Sequence, residues 1–280
     1  MEINSPSLVI LALENSKKIV KRIINLLPED VRIRSRILYP KTSYMLENDD
    51  ILIRWGCTST THSQYRDELT INERIAIMSA SIKPSARIKM IENGLLCPQI
   101  STELPCIARR IKHKRGKDLV FCTSEKDIFN AKRMGLGYFQ EYIPKDREYR
   151  VHVAHGGVLS VQEKIDIEDS RTLDPINWNH DNGFIFEVIK WSKIPKGICK
   201  PAIDACKLFE LDFGAVDVIE KDNKFYILEI NSAPAVENYT ASKYAEYFSW
   251  IFEYYLKYNE LPGHWNNRKK YIIRREEFKI

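Results

Sequence analysis

Apolar residues crowd together at SLVILAL (7–13), a run short enough for a buried strand. In SKKIVKRIINLL (16–27) they return at helical spacing, behind Asn15 or Ser16 as the helix cap. RIRSRILY (32–39) and DILIRWG (50–56) are strand-like again. This strand–helix–strand order predicts a small α/β domain ending near residue 80. TINERIAIMSA (70–80) predicts a helix. KPSARIKMIENGLLCP (83–98) predicts a second, stopped at Asn93-Gly94 with Pro98 beyond.

From about residue 104 the pattern changes. LPCIARRI (104–111) and DLVFCT (118–123) read as strands joined by the basic, glycine-containing loop KHKRGK (112–117). SEKDIFNAKRMG is a helix with Ser124 as its cap, and YFQEYIP (138–144) is another strand. EYRVHVAHGGVLSVQEKI (148–165) predicts a hairpin turning at His155-Gly156-Gly157. A long polar loop (166–183) follows, in which Asn182 reads as a turn residue, and then a helix within 194–211. GAVDVIE (214–220) and FYILEIN (225–231) flank a turn at KDNK and predict a β-hairpin, and TASKYAEYFSWIFEYYLKY (240–258) predicts a closing helix.

That last hairpin carries chemistry. FYILEINSAP drives Glu229 and Asn231 to the end of the chain's most apolar strand. A loop of residues 222–224 pairs Val216 with Ile230 and Asp217 with Glu229, so that Asp217, Glu229 and Asn231 share one face. Two carboxylates and an amide oxygen are hard ligands of the kind magnesium takes together with phosphate and water. The same acids could instead be solvated at a strand end or paired with lysine.

Composition narrows the class. A hydrophobic fraction of 44% and a charged fraction of 29% over 280 residues are ordinary for a globular protein with a sizeable core. No apolar run is long enough to span a bilayer. The N-terminus lacks a basic region ahead of its apolar run and reads as a strand, not a signal peptide. Six cysteines lie scattered without a C-x-x-C pair, as expected of reduced thiols in a cytoplasmic protein. A net charge of +5 does not call for nucleic acid, and the basic tail NNRKKYIIRREEFK (266–279) reads as a solvated surface. Neither a P-loop nor a dinucleotide fingerprint is present, and there is no G-x-S-x-G.

D-x-x-x…L-E-I-N-S-A-P resembles the metal-binding end of the ATP-grasp family, and further matches follow in that family's order between about residues 80 and 245. Lys83 precedes Gly94 as the family's first phosphate-binding lysine does. PCIARRIKHKRGKD is similar to its lid strand and glycine loop, and FQEYIPKDREYRV to its hinge, where one acid and the next backbone groups hold adenine and a second acid receives ribose. The resemblance is to the carboxylate–amine ligase type, including the ribosomal-protein glutamate ligase and D-Ala–D-Ala ligase groups.

The resemblance implies an α/β (α+β) ATP-grasp architecture. Its expected divisions are an N-terminal α/β domain (1–80), a linking helix (81–103), a lid (104–145), a C-terminal antiparallel subdomain with the metal site (146–260) and the basic tail (261–280). It implies ATP bound by Lys83, Arg109, His113, Gly116, Glu141, Tyr142, Ile143 and Glu148. Arg109 stands where lysine is commoner, and either it or Arg110 faces the phosphates. Magnesium, as one ion or two and replaceable by manganese, is expected on Asp217, Glu229 and Asn231. Arg150 and Lys164 are the expected catalytic cations. The implied reaction joins a carboxylate to an amine, on small-molecule or peptide substrates, through an acylphosphate. A kinase on the same fold and a non-catalytic nucleotide- or nucleic-acid-binding protein are the alternatives.

Overall fold

A computed structural model of the chain describes residues 6–42, 46–60, 67–111, 119–167, 176, 178 and 182–263. Three sheets organise it. The first contains β1 (Leu8–Ala12), β2 (Ser35–Leu38), β3 (Ile51–Trp55) and β4 (Thr70–Ile71), all parallel, in the order β2-β1-β3-β4. β1 and β3 are buried at every position because parallel strands are covered on both faces. Leu8, Ile10 and Ala12 pack with Val20 and Ile23 of α1 (Lys17–Asn25) and Val31 of α2 (Glu29–Arg32), while Val9, Leu11 and Leu52 face the other way. Ser16 precedes α1, but its side chain makes no capping hydrogen bond.

The helix expected from Thr70 starts later. Thr70 and Ile71 pair with Leu52 and Ile53 as the edge strand, and α3 spans Arg74–Ser81. Between them Asn72 takes φ 59, a left-handed conformation that asparagine tolerates. It is held there by distant partners: its N–H donates to Asp212 at 2.6 Å, and its amide exchanges hydrogen bonds with the Phe213 backbone at 2.9 and 3.1 Å.

The second sheet contains β5 (Cys106–Arg109), β6 (Leu119–Cys122) and β7 (Tyr138–Glu141), antiparallel in the order β6-β5-β7. Helix α5 (Glu125–Arg133) covers it through Ile128 and Ala131. Ser124 caps α5 in a reciprocal box: Asp127 N–H donates to the Ser124 hydroxyl at 3.3 Å and Ser124 N–H to the Asp127 carboxylate at 2.9 Å.

The third sheet is antiparallel, ordered β10-β9-β8-β11-β12, with β8 (Arg147–Ala154), β9 (Gly157–Asp166), β10 (Phe184–Val188), β11 (Phe213–Lys221) and β12 (Lys224–Asn231). The pattern assigned no element to residues 184–188, yet β10 extends the sheet beyond β9. One face is apolar: Tyr149, Val151, Val153, Val216 and Val218 pack against α3, α4 (Lys83–Glu92) and α6 (Cys199–Leu208). The opposite parity carries Glu148, Arg150, His152 and Asp217, so alternation makes this face polar.

Packing crosses the boundaries drawn from chain order. Helix α7 (Asn238–Tyr258), near the chain's end, buries Tyr244, Phe248, Ile251 and Phe252 in the core of the first sheet. Helices α3 and α4, which follow that sheet, pack on the third. Among the described residues no helix is long and apolar enough to cross a membrane.

Candidate active site

The β11–β12 hairpin places Asp217 opposite Glu229 and Val216 opposite Ile230, the expected register, by an unexpected route. The turn holds two residues, Asp222 and Asn223, at φ 51 and 60, and Lys221 pairs with Lys224. Positive φ at both central residues matches a type I′ turn. Continued without interruption, that register would set Leu228 opposite Asp217 and turn Glu229 to the apolar face. A β-bulge intervenes: Val218 pairs with Ile227 and Asp217 with Glu229, leaving Leu228 as the extra residue. The parity change is visible in the core, where Ile227 and Ile230 are both buried in the same cluster.

Four charges meet over this hairpin. Arg150 faces Asp217 across β8 and β11 and grips it bidentately, at 2.7 Å from Nε and 2.8 Å from Nη2. Lys83, at the start of α4, bonds Glu229 at 2.5 Å. The Asn231 amide NH2 donates to the Asp217 carboxylate at 3.3 Å and to that of Glu229 at 3.4 Å, joining the trio. Burial pushes the Glu229 carboxyl up, but Lys83, Arg109 and Arg150 outweigh it and hold it down at about 2. Burial pushes the Asp217 carboxyl above its ordinary range, and the Arg150 guanidinium offsets only part of that rise.

A second cluster lies along β8 and β9. Glu148 is buried and accepts hydrogen bonds from Lys145, at 2.6 Å, and from Lys164. Lys164 also donates to the Trp178 carbonyl at 2.8 Å. Burial raises the Glu148 carboxyl, and the two lysines more than offset this, leaving it below the ordinary carboxylate range. Phe186 of β10 lies 4.3 Å from the Arg150 guanidinium and 4.7 Å from the Lys164 ammonium, a cation–π floor that fixes both cations.

The second sheet closes the other side. Lys83, Arg109, Tyr138, Gln140, Leu228 and Glu229 line one cavity between α4, that sheet and β12. Arg109 lines it while Arg110 is exposed. Among the described residues the buried Arg109 Nε has no hydrogen-bond partner, a donor suited to an anion. Glu141 ends β7 with its carboxylate accepting from the Gln99 N–H at 3.1 Å. Tyr142 meets Phe121 edge-on at 4.7 Å, and Ile143 is buried. His113 and Gly116 lie outside the described residues.

Arg150, an expected catalytic cation, is paired here with Asp217. Three residues escaped the sequence reading. Lys145 shares Glu148, Phe186 supports the two cations, and buried Arg87 donates to the carbonyls of the bulge. Arg87 had a signal, since it follows Lys83 by one helical turn on the same face of α4. Phe186 had none, because only the sheet order brings β10 alongside β9.

The donor set suits a hard cation. Two carboxylates converge from paired strands beside an amide whose NH2 faces them and whose oxygen would have to turn inward to join them, and a set without sulfur favours magnesium over softer metals. Among the described residues no group of three or more His, Cys, Asp or Glu side chains is placed to hold a metal ion. Further oxygens would have to come from a ligand or water, as magnesium usually requires.

A family model described as a RimK-like ATP-grasp domain matches residues 81–246, more than half of the chain. A comparison with curated protein sequences returned no match. Among solved structures, D-alanine–D-alanine ligase from Bacillus anthracis is 11% identical with a TM-score of 0.64, covering 90% of this chain and 96% of that one. The ATP-grasp ligase PsnB complexed with a minimal precursor is 14% identical with a TM-score of 0.59, covering 86% and 98%. The macrocyclase MdnC bound with precursor peptide MdnA, from Microcystis aeruginosa MRC, is 14% identical with a TM-score of 0.58, covering 86% and 99%. At these identities the likeness is one of fold.

Proposed function

The chain belongs to the RimK-like ATP-grasp family, and on that premise we propose that it is an ATP-dependent ligase joining a carboxylate to an amine with release of ADP. The observation that carries the reading is the paired arrangement of charges over one hairpin. Asp217, Glu229 and Asn231 sit together, and Lys83, Arg109 and Arg150 stand around them. Each acid is neutralised by a cation that a phosphate could take over, which frees the acid for a metal. The precursor peptides bound by PsnB and MdnC support a peptide or amino-acid substrate here.

Asp217, Glu229 and Asn231 would hold magnesium, which would supply positive charge to neutralise the phosphates. Lys83 and Arg109 hold the phosphate chain from the side of α4 and the lid. Glu141, Tyr142 and Ile143 form the hinge beside the base, and Glu148 receives the ribose hydroxyls. Arg150 and Lys164, fixed on Phe186, meet the charge that develops as the γ-phosphoryl leaves ADP for a carboxylate oxygen. An amine nitrogen then attacks the acyl carbon, the bond from that carbon to the phosphate oxygen breaks, and the ammonium proton passes to solvent.

The test is ADP release from a panel of carboxylates, amino acids and peptides with and without amines, using 18O-labelled carboxylate. The expected result is amine-dependent ADP release with one 18O carried into phosphate. Release of AMP and pyrophosphate, or phosphate transfer to a hydroxyl acceptor, would overturn the reading.

A further inference from the structure

Arg87 is buried in α4, one turn beyond Lys83, and its guanidinium makes three hydrogen bonds. Nη1 donates to the Ile227 carbonyl and Nη2 to the Leu228 carbonyl, each at 2.8 Å, and Nε reaches the Tyr138 hydroxyl at 3.3 Å. In a regular strand successive carbonyls point to opposite edges, so one side chain does not reach both. Ile227 and Leu228 present theirs together because the bulge falls there. The planar fork of a guanidinium fits two such acceptors, and an ammonium does not. On the same edge of β12 the Ile227 N–H donates to the Leu96 carbonyl at 2.9 Å.

We infer that Arg87 is a positioning residue: its guanidinium holds the β-bulge at Leu228 and so keeps the Glu229 carboxylate on the face of Asp217. The inference rests on the reading of Asp217, Glu229 and Asn231 as the magnesium site. Without the bulge the hairpin's two-residue turn would present Leu228 to Asp217. Glu229 would then lie on the apolar face, where Val216 and Ile230 are packed. Arg87 touches Glu229 only through the backbone, whereas Lys83 bonds its carboxylate directly. Through Tyr138 the same guanidinium also ties the lid strand β7 to the bulge, so lid position and the setting of Glu229 share one side chain.

The test compares the full chain with R87K, which keeps the stem and charge but loses the fork, and with R87M, which removes the charge. Two quantities are read: binding of a fluorescent ATP analogue over a titration of MgCl2, and hydrogen exchange of the amides in 225–231. In both variants the magnesium midpoint should rise about 10–100-fold, the usual effect of losing a residue that orients a metal ligand. Affinity for the analogue without magnesium should change little, and exchange in 225–231 should quicken relative to β8. If R87M does not fold, R87K decides. A parent-like midpoint and parent-like exchange in R87K overturn the proposal. Faster exchange with an unchanged midpoint also overturns it, since Arg87 would then hold the bulge without placing Glu229. If the parent's nucleotide binding ignores magnesium, the functional reading fails, and the exchange data still decide whether Arg87 holds the bulge.

Discussion

Replacing Glu148 by glutamine keeps the side chain's size and removes the charge that two lysines share. The Glu148 side chain is 6% exposed, and those of Lys145 and Lys164 are 12% and 13% exposed. Removing one member of a buried ion pair costs about 3–5 kcal/mol, because the partner's charge is left uncompensated. Here two ammonium groups would be left facing one another, though each keeps some contact with water and an aromatic face, Trp178 at 4.3 Å for Lys145 and Phe186 at 4.7 Å for Lys164. We therefore expect E148Q to lose about 3 kcal/mol of folding stability at neutral pH. The pH dependence follows from the lowered Glu148 pKa: the carboxylate's stabilisation is present above its unfolded pKa and is lost as pH falls through the folded one. Urea denaturation without nucleotide, repeated from pH 7 downward, reads both effects, and the gap between parent and E148Q should close on the acid side. Adding Lys164→Met to E148Q should recover part of the loss by removing one of the stranded cations. A loss below about 1 kcal/mol at pH 7, the scale of an exposed pair, would refute the reasoning. So would a gap that stays constant into acid.

Asp217→Asn and Glu229→Gln should each abolish turnover, and Asp217→Asn should also lower the melting temperature of the apo chain because it strands the buried Arg150 guanidinium; full activity in both at ordinary magnesium would remove the metal assignment. His152 is buried between Tyr244 and Gln162, each at 3.2 Å, and burial beside Arg150 pushes it down to about 3. Its folded pKa lies below the unfolded one, so its contribution is full above about pH 6.5 and falls as pH drops, by up to about 1.4 kcal/mol per pH unit. His152→Gln should flatten that slope between pH 6.5 and 4 in stepped denaturation, and an unchanged slope would assign it elsewhere. At Gly56, with φ +63, a Cβ would stand 2.5 Å from the Ala233 Cβ, in the turn that follows Asn231. Gly56→Ala should cost about 1–2 kcal/mol from the left-handed backbone alone and also raise the magnesium requirement by moving that turn; normal stability and normal magnesium dependence would show that the turn yields freely.

Much of this molecule is local, and the local part is legible in the chain. Ser124 and Asp127 close a capping box three residues apart, Gly94 ends α4 at φ +72, and the apolar run of β1 announces a strand covered on both faces. The shared face of Asp217, Glu229 and Asn231 was also legible, although the assumed three-residue loop stood in for a two-residue turn plus a bulge. Both give the same register, so the pattern of faces could not tell them apart. Tertiary structure decided what depends on meetings between distant segments. Arg109 turns inward and Arg110 outward because of where the second sheet sits over α4. Arg150 finds Asp217, Phe186 slides beneath Arg150 and Lys164, and α7 returns to the first sheet through strand order and burial across the whole chain. A helix or strand pattern is set by neighbours a few residues away. A side chain's partner is set by which surfaces exclude water together, and that is a property of the assembled fold.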